Sequence, residues 1–211
     1  MNKKNYAGIE NLLAEFLQRK DAIRTRLDEF ARVPPEEYFY ELAYCLLTPQ
    51  SSAANAGRAI EALRKANCFD RPKVSARILK SRAHYIRFHN TKARRLAEAN
   101  AQSATLHSVL SKEHQAEDVR RWIVTHVRGL GWKEASHFLR NIGYRDLAIL
   151  DRHILKNLRV HNVIRRIPKT LTPKRYHAIE QEFRLFAREV GISMDELDLF
   201  FWSRETGEIL K

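Results

Sequence analysis

Apolar residues recur at helical spacing along almost the whole chain. Ile9, Leu12, Leu13, Phe16 and Leu17 fall at i, i+3, i+4, i+7 and i+8, the buried stripe of a helix, and Ile23, Leu27 and Phe30 extend it. Pro34 and Pro35 stop that helix and start the next, EEYFYELAYCLL. The same spacing predicts helices over residues 52–66, 73–81, 91–100 and 116–128, and from about 152 to 160. Thr172 reads as an N-cap with Pro173 at the first helical position, and Gly191 as the stop after YHAIEQEFRLFAREV. Ser193 and Glu196 form a capping box for a last helix through Trp202, ended by Gly207. Nowhere do β-branched and aromatic residues alternate with polar ones over a convincing length, so the expected fold class is all-α. No linker forces a division. The expected arrangement is a single domain over residues 1–211, its terminal helices forming one lobe and residues from about 50 to 165 the other.

The 211 residues suffice for one fair-sized core. Cys45 and Cys68 are the only cysteines, too few for the four thiolates of an iron–sulfur cluster, and no C-x-x-C with nearby histidines suggests zinc. The expectation is no metal and no cofactor. With no charged-then-apolar leader and no apolar run near the roughly 18 residues of a membrane span, the chain reads as soluble and cytoplasmic, with no membrane partner. The net charge of +13 points to an acidic partner, most commonly nucleic acid. That charge is concentrated: residues 71–100 hold a net +8 and residues 120–169 a net +9, leaving the remainder at −4. A thermophile's charged surface is the other source of such clusters.

The stretch VRGLGWKEASHFLRNIGYRDLAILD carries the candidate chemistry. Gly129-Leu130-Gly131 joins two helical patterns through a turn so short that they form a tight hairpin, and glycine tolerates the left-handed angles and close backbone approach such a turn requires. Backbone N–H groups of the turn and the following helix start make a site for a phosphate oxygen, with Arg128 beside it, or for a bridging monovalent cation. A plain αα-hairpin would look the same. Lys133 stands where the helix dipole disfavours a cation. A lysine amine titrates near about 10.4 in water, so a nucleophilic lysine needs burial, a positive helix end or nearby arginines to release its proton. Asp151 follows Leu147-Ala148-Ile149-Leu150 and sits where an N-cap for RHILKNL belongs. Capping alone accounts for Asp151, as an ordinary surface site accounts for Lys133. A cap also holds a carboxylate ionised and aimed, which a catalytic carboxylate requires.

Together, GLGWKEASHFLRNIG and AILDRHIL resemble the helix-hairpin-helix signature of the DNA base-excision glycosylases, the hairpin motif covering about residues 118–142. Within that superfamily the chain is similar to the type-2 8-oxoguanine DNA glycosylase/AP lyases, a mostly prokaryotic group of short, cluster-free members. The likeness extends over AYCLLTPQSSA, RFHNTKA, the hairpin and LDLFFWSRETGEILK.

The resemblance implies a two-lobed helical fold with the active site in a cleft between lobes, acting as a monomer on double-stranded DNA containing oxidised guanine, near the nucleoid. Such enzymes flip the target nucleotide into a pocket. By resemblance, Lys133 attacks the sugar and forms a Schiff base that permits β-elimination, while Asp151 stabilises cationic character at the sugar. Gln50 would wedge into the vacated stack, although some relatives carry asparagine there and a polar loop residue beside a helix start is an ordinary feature. Phe88 or His89 would stack from a second loop, and either could equally belong to a core. Trp202 would stack on the base, and the main-chain carboxylate of Lys211 would accept its hydrogen bonds. A frayed tail is the ordinary fate of such a terminus. The rival readings are a glycosylase/lyase for another oxidised or mismatched base, and a noncatalytic helix-hairpin-helix DNA-binding module.

Overall fold

The computed structural model describes residues 5–70, 74–110 and 114–209. Lys211 lies outside the described residues. Among those described there is no strand, and the helices are α1 (Ile9–Leu17), α2 (Lys20–Ala31), α3 (Tyr38–Leu47), α4 (Ala53–Lys65), α5 (Ala76–Leu79), α6 (His89–Asn100), α7 (Ser103–Leu110), α8 (Ala116–His126), α9 (Trp132–Asn141), α10 (Arg152–Val160), α11 (Pro173–Val190) and α12 (Met194–Thr206). No helix is long and apolar enough to cross a membrane among these residues.

The end signals act as their chemistry dictates. Ser52 Oγ accepts from Asn55 N–H at the start of α4, and Thr172 Oγ1 from Arg175 N–H at the start of α11. Ser193 and Glu196 complete the capping box of α12 in both directions, while Gly191 and Gly207 end α11 and α12 in the left-handed conformation.

Three elements differ from the pattern read along the chain. The stripe expected as one continuous helix is two, α1 and α2: the chain turns at residues 18–19, where Arg19 donates to Ser203 Oγ at 2.9 Å, and α2 packs on α12. The helix expected over 73–81 is the single turn α5, and Lys73 lies outside the described residues. α7 has no counterpart in that pattern, since Leu106 and Leu110 are the only buried positions marking its stripe.

The chain forms two compact units, residues 33–138 and residues 1–32 with 139–211. The limits of the middle unit differ from the expected span of about 50–165. α3 packs on α4 and α6 and so belongs to the middle unit, whereas α10 packs on α12 and belongs with the terminal helices.

In the middle unit, Leu42, Ala43, Leu47, Ala56, Ala59, Leu63 and Leu96 are wholly buried on α3, α4 and α6. Arg64 fixes the entry to α3, donating to both Glu37 oxygens at 2.7 and 2.6 Å with its guanidinium 3.8 Å from the Tyr40 ring centre. In the terminal unit, Phe183, Phe186, Phe200 and Phe201 form a wholly buried aromatic core. Arg140 and Asp198 are paired within it at 2.6 Å. Gly143 ends α9 with φ 94°, and a Cβ there would stand 3.0 Å from the Ala31 Cα, so angle and space both require glycine.

Candidate active site

The middle unit holds two loops laced together at Ser51. Its Oγ accepts from Arg87 N–H (3.1 Å) and from Lys92 Nζ (3.3 Å), while Asn55 Nδ2 donates to Tyr85 O (3.2 Å) and Arg58 Nε to Ala83 O (3.0 Å). This brings Gln50 and Phe88, candidates some 40 residues apart, onto adjacent loops. Each holds a left-handed backbone without being glycine, Gln50 at φ 57° and Phe88 at φ 59°. Such conformations cost on the order of 1–3 kcal/mol and persist only where the surroundings over-determine them. Gln50 is exposed, and Phe88 is 51% exposed with the Arg87 guanidinium 4.9 Å from its ring centre. His89 opens α6, half-buried and edge-on to Tyr85 at 5.8 Å between ring centres. Of the two stacking candidates, Phe88 therefore offers the open ring.

Lys92 organises this pair of loops, a role that sequence reasoning missed. Its Nζ donates to the carbonyls of Leu47 and Pro49, each at 2.7 Å, closing the C-terminal end of α3 and bracing the turn that presents Gln50. The available signal was its place among Ala93, Leu96 and Ala99 on the buried stripe of α6. Burial, reinforced by the nearby Arg95 guanidinium, lowers its pKa from 10.5 to about 8. Between those values the unfolded chain binds more protons than the folded one, so stability from this group rises with pH. Lys92→Met leaves two carbonyls without their donor and is expected to cost about 1–3 kcal/mol in denaturant unfolding. The gap from the parent should widen as pH is raised through about 8 towards 10; a narrowing gap contradicts this account.

α6 continues from these loops to the hairpin. Arg95 lies against Gly129, where a Cβ would come within 2.6 Å of Arg95 Cδ and where φ is 101°. Of the two hairpin glycines Gly129 takes the left-handed conformation and Gly131 does not. Its missing side chain instead leaves room for Glu134, whose Oε2 would lie 3.2 Å from a Cβ at that position. Arg128 is exposed, 3.6 Å from Glu98. Arg120, wholly buried, stitches α8 to α9 by donating to Ser136 Oγ at 3.0 Å, its guanidinium 5.2 Å from the Trp132 ring centre.

Lys133 is the second residue of α9. Its side chain is 30% exposed, and its ion pair is with Glu134 Oε1 at 3.8 Å, too long for a hydrogen bond. The amine thus sits in the first turn beyond the glycines, partly accessible and loosely held.

Asp151 belongs to the terminal unit and caps α10. Its Oδ1 accepts from the backbone N–H groups of His153 and Ile154, both at 2.8 Å, and its Oδ2 accepts from Trp202 Nε1–H at 2.9 Å. Three donors fix the plane of the carboxylate. The structure thus brings together two candidates, Asp151 and Trp202, whose link has no local trace in the sequence. Trp202 is held by the edge of its ring, which sets the ring plane without covering a face. His153 packs edge-on to it at 5.8 Å between ring centres and faces Glu205 at 3.8 Å. A hydrogen bond from Lys156 holds the Glu205 carboxyl below the usual carboxylate range.

No group of three or more His, Cys, Asp or Glu side chains suited to a metal occurs among the described residues, and Cys45 and Cys68 are both buried.

Comparison with known proteins places this geometry. An 8-oxoguanine DNA glycosylase/AP lyase from Fusobacterium nucleatum is 38% identical over 222 residues covering all of both chains, and one from Korarchaeum cryptofilum is 36% identical, covering 97% of this chain and all of the relative. The crystal structure of Methanocaldococcus jannaschii 8-oxoguanine DNA glycosylase superposes with a TM-score of 0.83 at 35% identity, covering 96% of this chain and 97% of that one. The Methanocaldococcus jannaschii 8-oxoguanine glycosylase/lyase in complex with a 15mer DNA containing 8-oxoguanine gives 0.82 at 34% identity, over 95% of this chain and 99% of that one. Residues 23–192 match the family model for 8-oxoguanine DNA glycosylase, and the chain belongs to that helix-hairpin-helix family.

Proposed function

We propose that the protein excises 8-oxoguanine from double-stranded DNA and cleaves the strand at the resulting site. The observation that carries this reading is the hairpin, in which a turn suited to phosphate oxygens is followed within one helical turn by the partly accessible amine of Lys133. Phosphate binding alone needs no such amine.

The Lys133 Nζ attacks C1′ of the flipped nucleotide, and the bond from C1′ to the base breaks, its electron pair leaving on the base nitrogen, which is then protonated. Loss of the amine proton and ring opening give a Schiff base between Nζ and C1′. Removal of a C2′ proton then expels the 3′ phosphate oxygen in a β-elimination. Asp151 keeps a negative charge where the sugar becomes cationic, its orientation set by the two α10 amides and the Trp202 indole. The hairpin and Arg128 hold the strand without reading its sequence, and Gln50 and Phe88 enter the stack from their laced loops. Trp202 offers a ring face to the base, with His89 and Lys211 assigned to the same task by resemblance. The enzyme works as a monomer in this scheme, and a monovalent cation can bridge the hairpin to a phosphate.

The test is base release and strand scission on a duplex carrying one 8-oxoguanine, beside duplexes carrying other oxidised or mismatched bases. Both products should appear with 8-oxoguanine and scission should be absent from undamaged DNA. Tight binding without scission would establish the noncatalytic module, and preferential excision of another base would establish the sister activity.

A further inference from the structure

Several cations in the terminal unit have a carboxylate partner: Arg24 pairs with Glu196, Arg184 with Asp146, Arg204 with Glu15 and Lys156 with Glu205. One segment is purely basic. Residues 163–175, VIRRIPKTLTPKR, carry five cations and no carboxylate. Arg165, Arg166, Lys169, Lys174 and Arg175 are all exposed, and no ion pair holds any of them among the described residues. Four of the five surround one depression of about 620 Å³, whose only acidic lining residue is Glu182.

Unpaired like charges around a concavity repel one another and raise the local positive potential, a cost offset when a polyanion neutralises them. The position of this cluster within its unit bears on which polyanion. Tyr176 OH donates to Ala148 O at 2.5 Å and accepts a weak bond from Leu150 N–H at 3.4 Å. The first turn of α11, with Lys174 and Arg175, is thereby pinned alongside the segment that ends in Asp151. The cluster is thus fixed on the carboxylate side of the chemistry, whereas the hairpin and its arginines belong to the other unit.

We infer that Arg165, Arg166, Lys169, Lys174 and Arg175 form a second phosphate-holding surface, by which the unit carrying Asp151 grips the backbone of the DNA duplex. This rests on the reading of the protein as a DNA glycosylase. The hairpin would then anchor one unit on the strand and the basic segment the other, so that the carboxylate is brought to the sugar by the grip of its own unit.

The test compares two triple variants with the parent. Arg166→Gln, Lys174→Gln and Arg175→Gln remove three charges from the segment. Arg32→Gln, Lys65→Gln and Arg188→Gln remove three exposed charges elsewhere, giving the same net charge. Affinity for an undamaged duplex several turns long is measured by fluorescence anisotropy between about 0.05 and 0.2 M salt, the range over which phosphate neutralisation registers. Every phosphate no longer neutralised by a cation should reduce the slope of log affinity against log salt by about 0.9, so the slope of the segment variant should fall by about two to three. Its affinity at the lowest salt should fall by on the order of tenfold or more, with the control keeping the parent slope. Equal slopes in the two variants, whether both unchanged or both reduced, overturn the inference. A parent that never releases 8-oxoguanine, while the segment variant alone shows the reduced slope, instead sinks the glycosylase reading and leaves the surface standing as a DNA-binding one.

Discussion

Lys133→Gln is expected to abolish base release and strand scission together, by at least about a thousandfold in single-turnover rate. Both activities fail because the same Nζ displaces the base and carries the Schiff base. Glutamine preserves most of the side chain's length and its capacity to donate a hydrogen bond, but it has no basic amine. The fold should tolerate the change. Lys133 is partly exposed and its one ion pair is long, so the unfolding free energy should move by no more than a surface substitution does, about 0.5 kcal/mol. Duplex affinity should weaken at most by the removal of one cation near the backbone. A variant that still releases 8-oxoguanine at the parental rate, failing only in scission, would show that water displaces the base and that the lysine acts later.

Asp151→Asn is expected to lower base release by about a hundred- to ten-thousandfold while leaving the helix cap in place. Asparagine caps helices about as well as aspartate, so one oxygen continues to accept from the His153 and Ile154 amides. What disappears is the negative charge near the developing cation, together with the acceptor for the Trp202 indole N–H. Asp151→Ala separates the two tasks. It should lose activity comparably and in addition lose about 0.5–2 kcal/mol of stability, because the cap is gone. If the asparagine variant keeps full activity, Asp151 is a cap and nothing more, the plainer role its position in the sequence allows.

The hairpin, the caps and the all-helical class were legible because their causes are local. Gly129 and Gly131 with their flanks, Thr172 before Pro173, and the Ser193–Glu196 box each carry their signal within a few residues. What lay beyond the sequence depends on partners far along the chain. Lys92 closes the end of α3 through carbonyls 45 and 43 residues upstream, and its place on the stripe of Ala93, Leu96 and Ala99 does not say which carbonyls it reaches. The bond from Trp202 to Asp151 spans 51 residues and joins two features whose expected tasks are separate. The break between α1 and α2 likewise falls where Arg19 bonds Ser203, 184 residues away, a partner that no helical stripe can encode.

The central claim is that one amine, on Lys133, becomes covalently joined to the sugar. Borohydride added during turnover on a duplex containing 8-oxoguanine reduces such a Schiff base to a stable amine. The parent should give a protein–DNA adduct whose proteolytic digest places the modification on the peptide containing Lys133, and Lys133→Gln should give none. An adduct of undiminished yield in that variant, or one mapped to another lysine, would contradict the account.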